Sequence, residues 1–435
     1  MNIINNVKCC WRGFAIRANI FKHARHGLQI RASRKKFHIL TNLRSNGPAV
    51  FWSFGLLSVL ITFSLVRCIS VFVPVGVKDL SGLLVVEGVI LEEGTKIMLS
   101  RTVTLDEEKS GSLLFDHVNN AIIHLIDEKQ TVIAVARQEY NWGPYVIKEK
   151  FSFVPGMKYA LDIKTTDDKH FQSSFILPAE TPEIDEVNYK VNDDKSIDIF
   201  VSTHDPSNKT NYFRWAFDEV WEIRSPIFGD TRYDPITQRE IPQSIRGDNR
   251  FYCWVSDFSK SIMTASSVKY TNAVIKNNKI HTLQPGNSRY SYLYSILVKQ
   301  LGMNKEAYNY FENLQRNIEA GGSLFAPQPS EQPGNIKCLS DPEEKVIGFI
   351  FASRITTYRL FIPMAQEHNL SYLEDKWDCT PYAGTSFMSA GEAYYQGYGL
   401  YIDNGSKRYA PITCVDCTFR GGTKTKPDYW PNDHQ

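Results

Sequence analysis

The side chains with the most chemical scope in this 435-residue chain are its eight cysteines, and Cys68 has the most distinctive setting. It closes the stretch Pro48 to Cys68, PAVFWSFGLLSVLITFSLVRC, which carries no charge before Arg67. A thiol at the end of such a run can be a lipid attachment site. A lipoprotein leader calls for Leu three residues before the cysteine and a small residue just before it. Leu65 meets the first requirement and Arg67 does not meet the second. The competing reading is an uncleaved signal anchor. Pro48 to Val66 is 19 residues, close to the roughly 20 a helix needs to span a bilayer. One acyl chain holds a protein only marginally, but the several chains of a bacterial lipoprotein cysteine would suffice.

Five cysteines lie well beyond this run: Cys253, Cys338, Cys379, Cys414 and Cys417. In an oxidising compartment they read as disulfide candidates bracing a region with little core of its own. Five is odd, so one thiol is left over. The expected pairing joins Cys379 to Cys414 or Cys417. The sequence Cys414-Val415-Asp416-Cys417 also has the two-residue spacing of redox and zinc motifs. A zinc site would need further ligands, and only Cys379, His368 and His434 lie nearby, without standard spacing.

Other chemistry is sparse. There is no Gly-rich phosphate loop, no HExxH and no GxSxG. Seven histidines follow Arg67, none paired at ligand spacing, and His124 inside AIIHLIDE reads as a packed or edge histidine. Carboxylates such as Asp205 and Asp218 look like ordinary surface groups. The reading is therefore of a non-catalytic binding or assembly module, with no catalytic residue, metal or cofactor expected.

Charge divides the chain. Up to Arg67 there are eleven Lys and Arg and no Asp or Glu, leaving 38 basic against 47 acidic residues from Cys68 onward. A basic, acid-free segment before an apolar core is the pattern of a secretory leader, its positive end staying on the cytoplasmic side. Residues 1–67 are thus expected to be a basic extension plus signal peptide. Residues 1–34 exceed what a leader needs, and the Arg-rich composition also allows a mitochondrial presequence, which the strong apolar core argues against. The mildly acidic remainder argues against nucleic-acid binding.

The elements that would position these groups are mainly strands. Between residues 80 and 180, LLVVEGVI, AIIHLIDE, TVIAVARQ, KYALDIKT and FQSSFILP alternate with turn residues. Strands at that spacing predict an N-terminal immunoglobulin-like β-sandwich. PAETPEID (178–185) reads as a linker. A second β-rich domain is expected over 186–435, beginning with SIDIFVST and NYFRWAFDEVWEI. In NKEAYNYFENLQRNIEA, Tyr308, Phe311, Leu314 and Ile318 recur at helical spacing, predicting one amphipathic helix over 304–320. Asn304 is its expected N-cap and Gly321-Gly322 its stop. The tail from 364 is expected to be irregular and disulfide-braced.

Several pieces together resemble the bacterial family called domain of unknown function 4249. They are LVVEG (84–88), MLSRT (98–102), FVPGMKYALDI (153–163), ILPAETPEID (176–185) and YCW (252–254). The longest is YSILVKQLGMNKEAYNYFENLQRNIEAGGSLFAPQPSEQPGNI (294–336), followed by VIGFIFAS, RLFIP and CVDCTFRGGTKTKPDYW. The resemblance implies an outer-membrane lipoprotein of Gram-negative bacteria without established enzymatic activity, lipidated at Cys68. It also implies an accessory or ligand-capture role beside a TonB-dependent β-barrel transporter, with an unknown ligand. The alternative expectation is a secreted glycan-binding or hydrolytic enzyme. The residues after Cys68, ISVFVPVG, lack the acidic cluster linked to surface display in such bacteria.

Overall fold

The computed structural model describes residues 82–103, 116–243, 250–269, 274–320, 333–364, 378–382 and 389–431. The expected leader, its apolar run and Cys68 lie outside these residues, as do Cys9, Cys10, His368, His434 and Gly321-Gly322. Among the described residues no helix is long and apolar enough to cross a membrane.

The chain is mainly β. The first eight strands are β1 (Leu84–Ile90), β2 (Lys96–Arg101), β3 (Asp116–His117), β4 (Ile122–Asp127), β5 (Val132–Gln138), β6 (Tyr145–Val146), β7 (Tyr159–Lys164) and β8 (His170–Ser173). Alternation drives them inward: Leu84, Val86 and Ile90 of β1 are buried, as are Ile123 and Leu125 of β4 and Leu161 and Ile163 of β7. Their turns carry the residues that tolerate left-handed backbone or bind it. Gln130 has positive φ between β4 and β5, and Asp127 Oδ1 accepts from Lys129 N and Thr131 N.

The next strands are β9 (Ile184–Val191), β10 (Ile197–His204), β11 (Tyr212–Arg224), β12 (Thr231–Asp234), β13 (Arg239–Pro242), β14 (Tyr252–Phe258), β15 (Met263–Ser266), β16 (Val274–Leu283) and β17 (Leu293–Met303). Helix α1 (Lys305–Ala320) follows, then β18 (Ile336–Cys338), β19 (Val346–Gly348), β20 (Phe351–Ala352) and β21 (Ile355–Pro363). Strands β10, β9 and β16 form one three-stranded sheet, and β14, β11, β17 and β21 form another sheet with β15 on β11. One apolar cluster joins the two, from Ile197, Ile199 and Val201 on β10 to Phe213, Trp215 and Trp221 on β11 and Ile296 and Val298 on β17.

The two regions are not consecutive in sequence. Residues 336–352, assigned to the second domain by the linear reading, complete the first sheet. Strand β18 pairs antiparallel with β8, and β19 and β20 pair parallel with β1. Parallel pairing needs a long crossover, and the chain from β2 through β18, the β9–α1 segment included, supplies it. At the crossing, Gly348 has φ +130°, and a Cβ there would sit 2.0 Å from Val86 O, so only glycine fits.

The expected linker is bound from both sides. Thr181 Oγ1 donates to Arg354 O (2.6 Å) and accepts from Gly302 N (2.9 Å). Gln300 Nε2 reaches Pro182 O (2.8 Å), and Thr210 Oγ1 reaches Glu180 O (2.7 Å).

Helix α1 wedges into the seam between the regions. Asn304 caps it, its Oδ1 accepting from Ala307 N at 2.9 Å. Ala307 and Phe311 bury against Phe351 of β20, Leu301 and Met303 of β17, and Val89 of β1. Arg214 stacks over the Phe311 ring at 4.3 Å. Ile318, the last member of the expected stripe, is exposed, because the helix has by then run past the seam.

The tail holds more regular structure than the sequence suggests. It comprises α2 (Ala390–Tyr395), the hairpin β22 (Tyr398–Asp403) with β23 (Ser406–Pro411), and α3 (Ile412–Val415). Its strands read YGLYID and SKRYAP, with too few apolar residues for alternation to announce them.

Candidate functional site

The tail meets the β12–β13 hairpin around a shallow cleft with room for little more than a water molecule. Tyr233 of β12, Tyr394 of α2 and Tyr398 of β22 line it, with Arg232, Gln243 and Asp416. Each wall has an identifiable support. A capping box starts α2: Ser389 Oγ accepts from Glu392 N (3.2 Å), and Glu392 Oε2 accepts from Ser389 N (2.9 Å). This sets Tyr394 with its ring 5.6 Å from that of Tyr233. An ion pair, Lys407 to Glu240 at 2.6 Å, ties the hairpin β22–β23 to β13.

Two disulfides brace the same wall. Cys379 bonds Cys414 on α3, and Cys253 on β14 bonds Cys417 just beyond it. The Cys414/Cys417 pair is therefore split between two bridges, and the bridge to Cys414 takes Cys379 out of play as a zinc donor. Among the described cysteines Cys338 is the unpaired one, buried on β18 with its Sγ 3.2 Å from Ser340 Oγ.

The chemistry of the cleft suits holding rather than transforming. It offers phenol rings, a guanidinium and an amide. Arg232 is 4.0 Å from Asp234. The carboxylate of Asp416 is committed: it accepts from Arg250 Nη1 (2.7 Å) and from Thr418 N (2.9 Å).

A second cluster of titratable groups lies inside the second sandwich. Glu219 is only 2 % exposed, on the β11 face that otherwise carries Phe213, Trp215, Phe217 and Trp221. It accepts from Arg289 Nε (3.0 Å) and Nη2, and from Tyr294 Oη (2.8 Å), with His281 Nε2 3.6 Å away. Arg289 also pairs with Asp257 (3.0 Å) and stacks on the Trp221 ring at 4.3 Å. Burial pushes the Glu219 carboxyl up, but the contacts with His281, Arg289 and Tyr294 outweigh it and bring it down to about 2. Burial, joined by the Glu219 charge, pushes the Tyr294 hydroxyl well up. This constellation centres on the Glu219 carboxylate, leaves His281 Nε2 buried without a hydrogen bond, and is separate from the cleft residues.

The remaining sequence-singled residues are dispersed. Asp205 caps its own turn, accepting from Ser207 N, Lys209 N and Thr210 N. Asp218 pairs with Lys299, and His124 is partly buried on β4. Two His–carboxylate pairs escaped the sequence reading, His170 with Asp162 (2.5 Å) and His204 with Asp185 (2.7 Å). Sequence spacing hides such pairs, because sheet register makes them. Glu219 was visible in principle: it is the one charge on the apolar face of YFRWAFDEVWEIR. The tyrosines of the cleft carried no signal, being three of 22 in three separate elements. Among the described residues no group of three or more His, Cys, Asp or Glu could hold a metal ion.

The fold and the cleft define a mainly β, disulfide-braced protein with a tyrosine-lined groove. The family follows from sequence: a family model described as Domain of unknown function (DUF4249) matches residues 72–359, and the chain belongs to that family. The match ends before α2, β22 and α3, which form much of the cleft. No curated protein matches the chain.

Proposed function

We propose that this protein is an exported, lipid-anchored, non-catalytic binding protein of the outer membrane, acting as a ligand-capture accessory to a TonB-dependent β-barrel transporter. The observation that carries this reading is the charge split about the apolar run ending in Cys68, with eleven basic and no acidic residues up to Arg67. Two disulfides in the folded body support passage into an oxidising compartment. The transporter partnership rests on family resemblance alone. The cleft supplies a surface for capture.

Mass spectrometry of the mature N-terminus tests the anchor: acylated Cys68 is expected, and an unmodified start elsewhere refutes it. Crosslinking in intact cells tests the partnership, with a large β-barrel expected in the adduct. A monomer without adducts would refute that part.

The three tyrosines of the cleft favour a second reading, a secreted glycan-binding protein, since aromatic faces and phenol hydroxyls suit sugar rings. Hydrolysis is the weaker form of it, because the cleft's carboxylate is committed to Arg250 and Thr418. Glycan-array binding lost in Tyr394→Ala would support this reading. An unchanged array profile in that variant would count against it.

A further inference from the structure

The tight connection from β5 to β6 presents two large aromatic side chains to solvent, Tyr140 at 51 % and Trp142 at 60 % exposure. Trp142 has φ +66°, a left-handed conformation that a bulky residue rarely adopts. Strain of this kind persists only where the surroundings over-determine it, and it concentrates at functional positions.

Here the surroundings are two polar side chains dedicated to the loop. Asn119 Oδ1 accepts from Trp142 N (2.8 Å) and from Gln138 Nε2 (2.7 Å). Gln138 in turn donates to Gly143 O (3.3 Å) and accepts from Asn120 N (3.2 Å). Gly143 N donates to Tyr140 O (2.9 Å). A Cβ on Gly143 would lie 2.8 Å from the Tyr140 ring, so the ring folds over the glycine. The aromatic pair is held in advance of any contact.

The register gives the loop a direction. Tyr145 pairs with Ile97 and Val146 with Lys96, so the chain before Tyr145 runs along β2 toward Arg101. Arg101 pairs with Leu84, and Gly82 N donates to Thr102 O. The aromatic loop therefore points to the end of the sheet where the chain arrives from Cys68. Thirteen residues separate Cys68 from Gly82, a reach of at most about 50 Å. Ile122, exposed at the start of β4, faces the same end, pairing with Lys164 close to the turn whose Asp167 binds Arg101. Charge at this end is mixed, with Arg101 against Asp167 and Lys148 against Glu139. A recognition mode based on net charge is thus not favoured. Tryptophan and tyrosine are the residues enriched where apolar and wet layers meet at a bilayer.

The geometry points to the 139–144 loop as a membrane-contact element: Trp142 and Tyr140 dip into the lipid headgroup region and fix the tilt of the tethered body. This rests on the lipid-anchor reading, since two aromatics alone would not retain the protein.

The test uses the full, processed chain extracted in detergent and reconstituted into phosphatidylcholine vesicles with brominated acyl chains. Brominated lipid is expected to quench part of the wild-type tryptophan emission, and Trp142→Phe is expected to remove most of that quenching. Trp142→Gly should lose it too while keeping or raising the thermal midpoint, because glycine accepts the positive φ. Flotation reports the anchor separately. Wild-type protein that floats without Trp142-dependent quenching overturns this inference alone, including the case where a protein partner covers the loop instead. Wild-type protein that fails to float overturns the anchor reading and this inference together.

Discussion

The two regions bury their interiors in different ways. The first is packed almost wholly with aliphatic and aromatic side chains, and the buried hydroxyl of Tyr145 is satisfied by donating to Val118 O and accepting from Ala121 N. The second admits a carboxylate, a guanidinium and an amide to its core face. Gln300 accepts from Trp215 Nε1 (2.9 Å) and donates to Thr203 Oγ1 (3.0 Å), while Glu219 and Arg289 form the charged cluster. Apolar cores tolerate approximate packing, whereas polar interiors demand complete pairing. The first region should therefore lose stability in proportion to volume removed, and the second in proportion to partners removed.

The largest expected effect lies in the second region. Opening the Cys253–Cys417 bridge frees a loop with a separation of 164 residues, which chain entropy values at about 5 kcal/mol. The 35-residue Cys379–Cys414 separation should be worth about 4 kcal/mol. Denaturant melts of the Cys253→Ser/Cys417→Ser and Cys379→Ser/Cys414→Ser pairs check the order. Next, Arg289→Met leaves the Glu219 carboxylate buried beside weaker partners and should cost about 3–5 kcal/mol. Region-resolved hydrogen exchange would show faster exchange in β11 and β17 first. Equal acceleration in β4 and β7 would break the comparison by showing one cooperative unit.

Leu161→Ala, in the fully apolar core, should cost about 3 kcal/mol and accelerate β4 and β7 first. Acid offers a substitution-free version. The Glu219 carboxyl titrates near 2 in the folded protein against 4.5 unfolded. Its contribution, about 3 kcal/mol, is complete above about pH 4.5 and drains as pH falls toward 2. Glu219→Gln should flatten that part of the stability profile. The smallest effect tests the seam between the regions: Asn304→Ala removes the cap of α1 and should cost about 1 kcal/mol, read as a small shift in thermal midpoint.

Much of this was legible in the sequence because period-2 alternation is local. Strands β1, β4, β5 and β7 and the N-terminus of α1 fall within a residue of their expected positions, whereas β8 ends at Ser173, well short of the expected FQSSFILP. The family and the mainly β class were legible too. Three things were not. The return of residues 336–352 to the first sheet is a long-range pairing, and IKC, VIG and FA are too short to declare a partner. The tail's hairpin depends on disulfides and aromatic contacts rather than on an apolar pattern. The cleft draws its walls from residues as far apart as Arg232 and Asp416, whose meeting is a product of tertiary topology.

That same return of β18, β19 and β20 has a consequence for biogenesis. One edge of β8 and one edge of β1 stay unpaired until residues 336–352 have been delivered, the last of them roughly 180 residues after β8 ends at Ser173. A chain cut short before residue 336 would expose two open strand edges beside an apolar core. Such edges recruit other chains, and contacts of such separation form slowly. Truncated forms should aggregate rather than persist as a smaller stable domain.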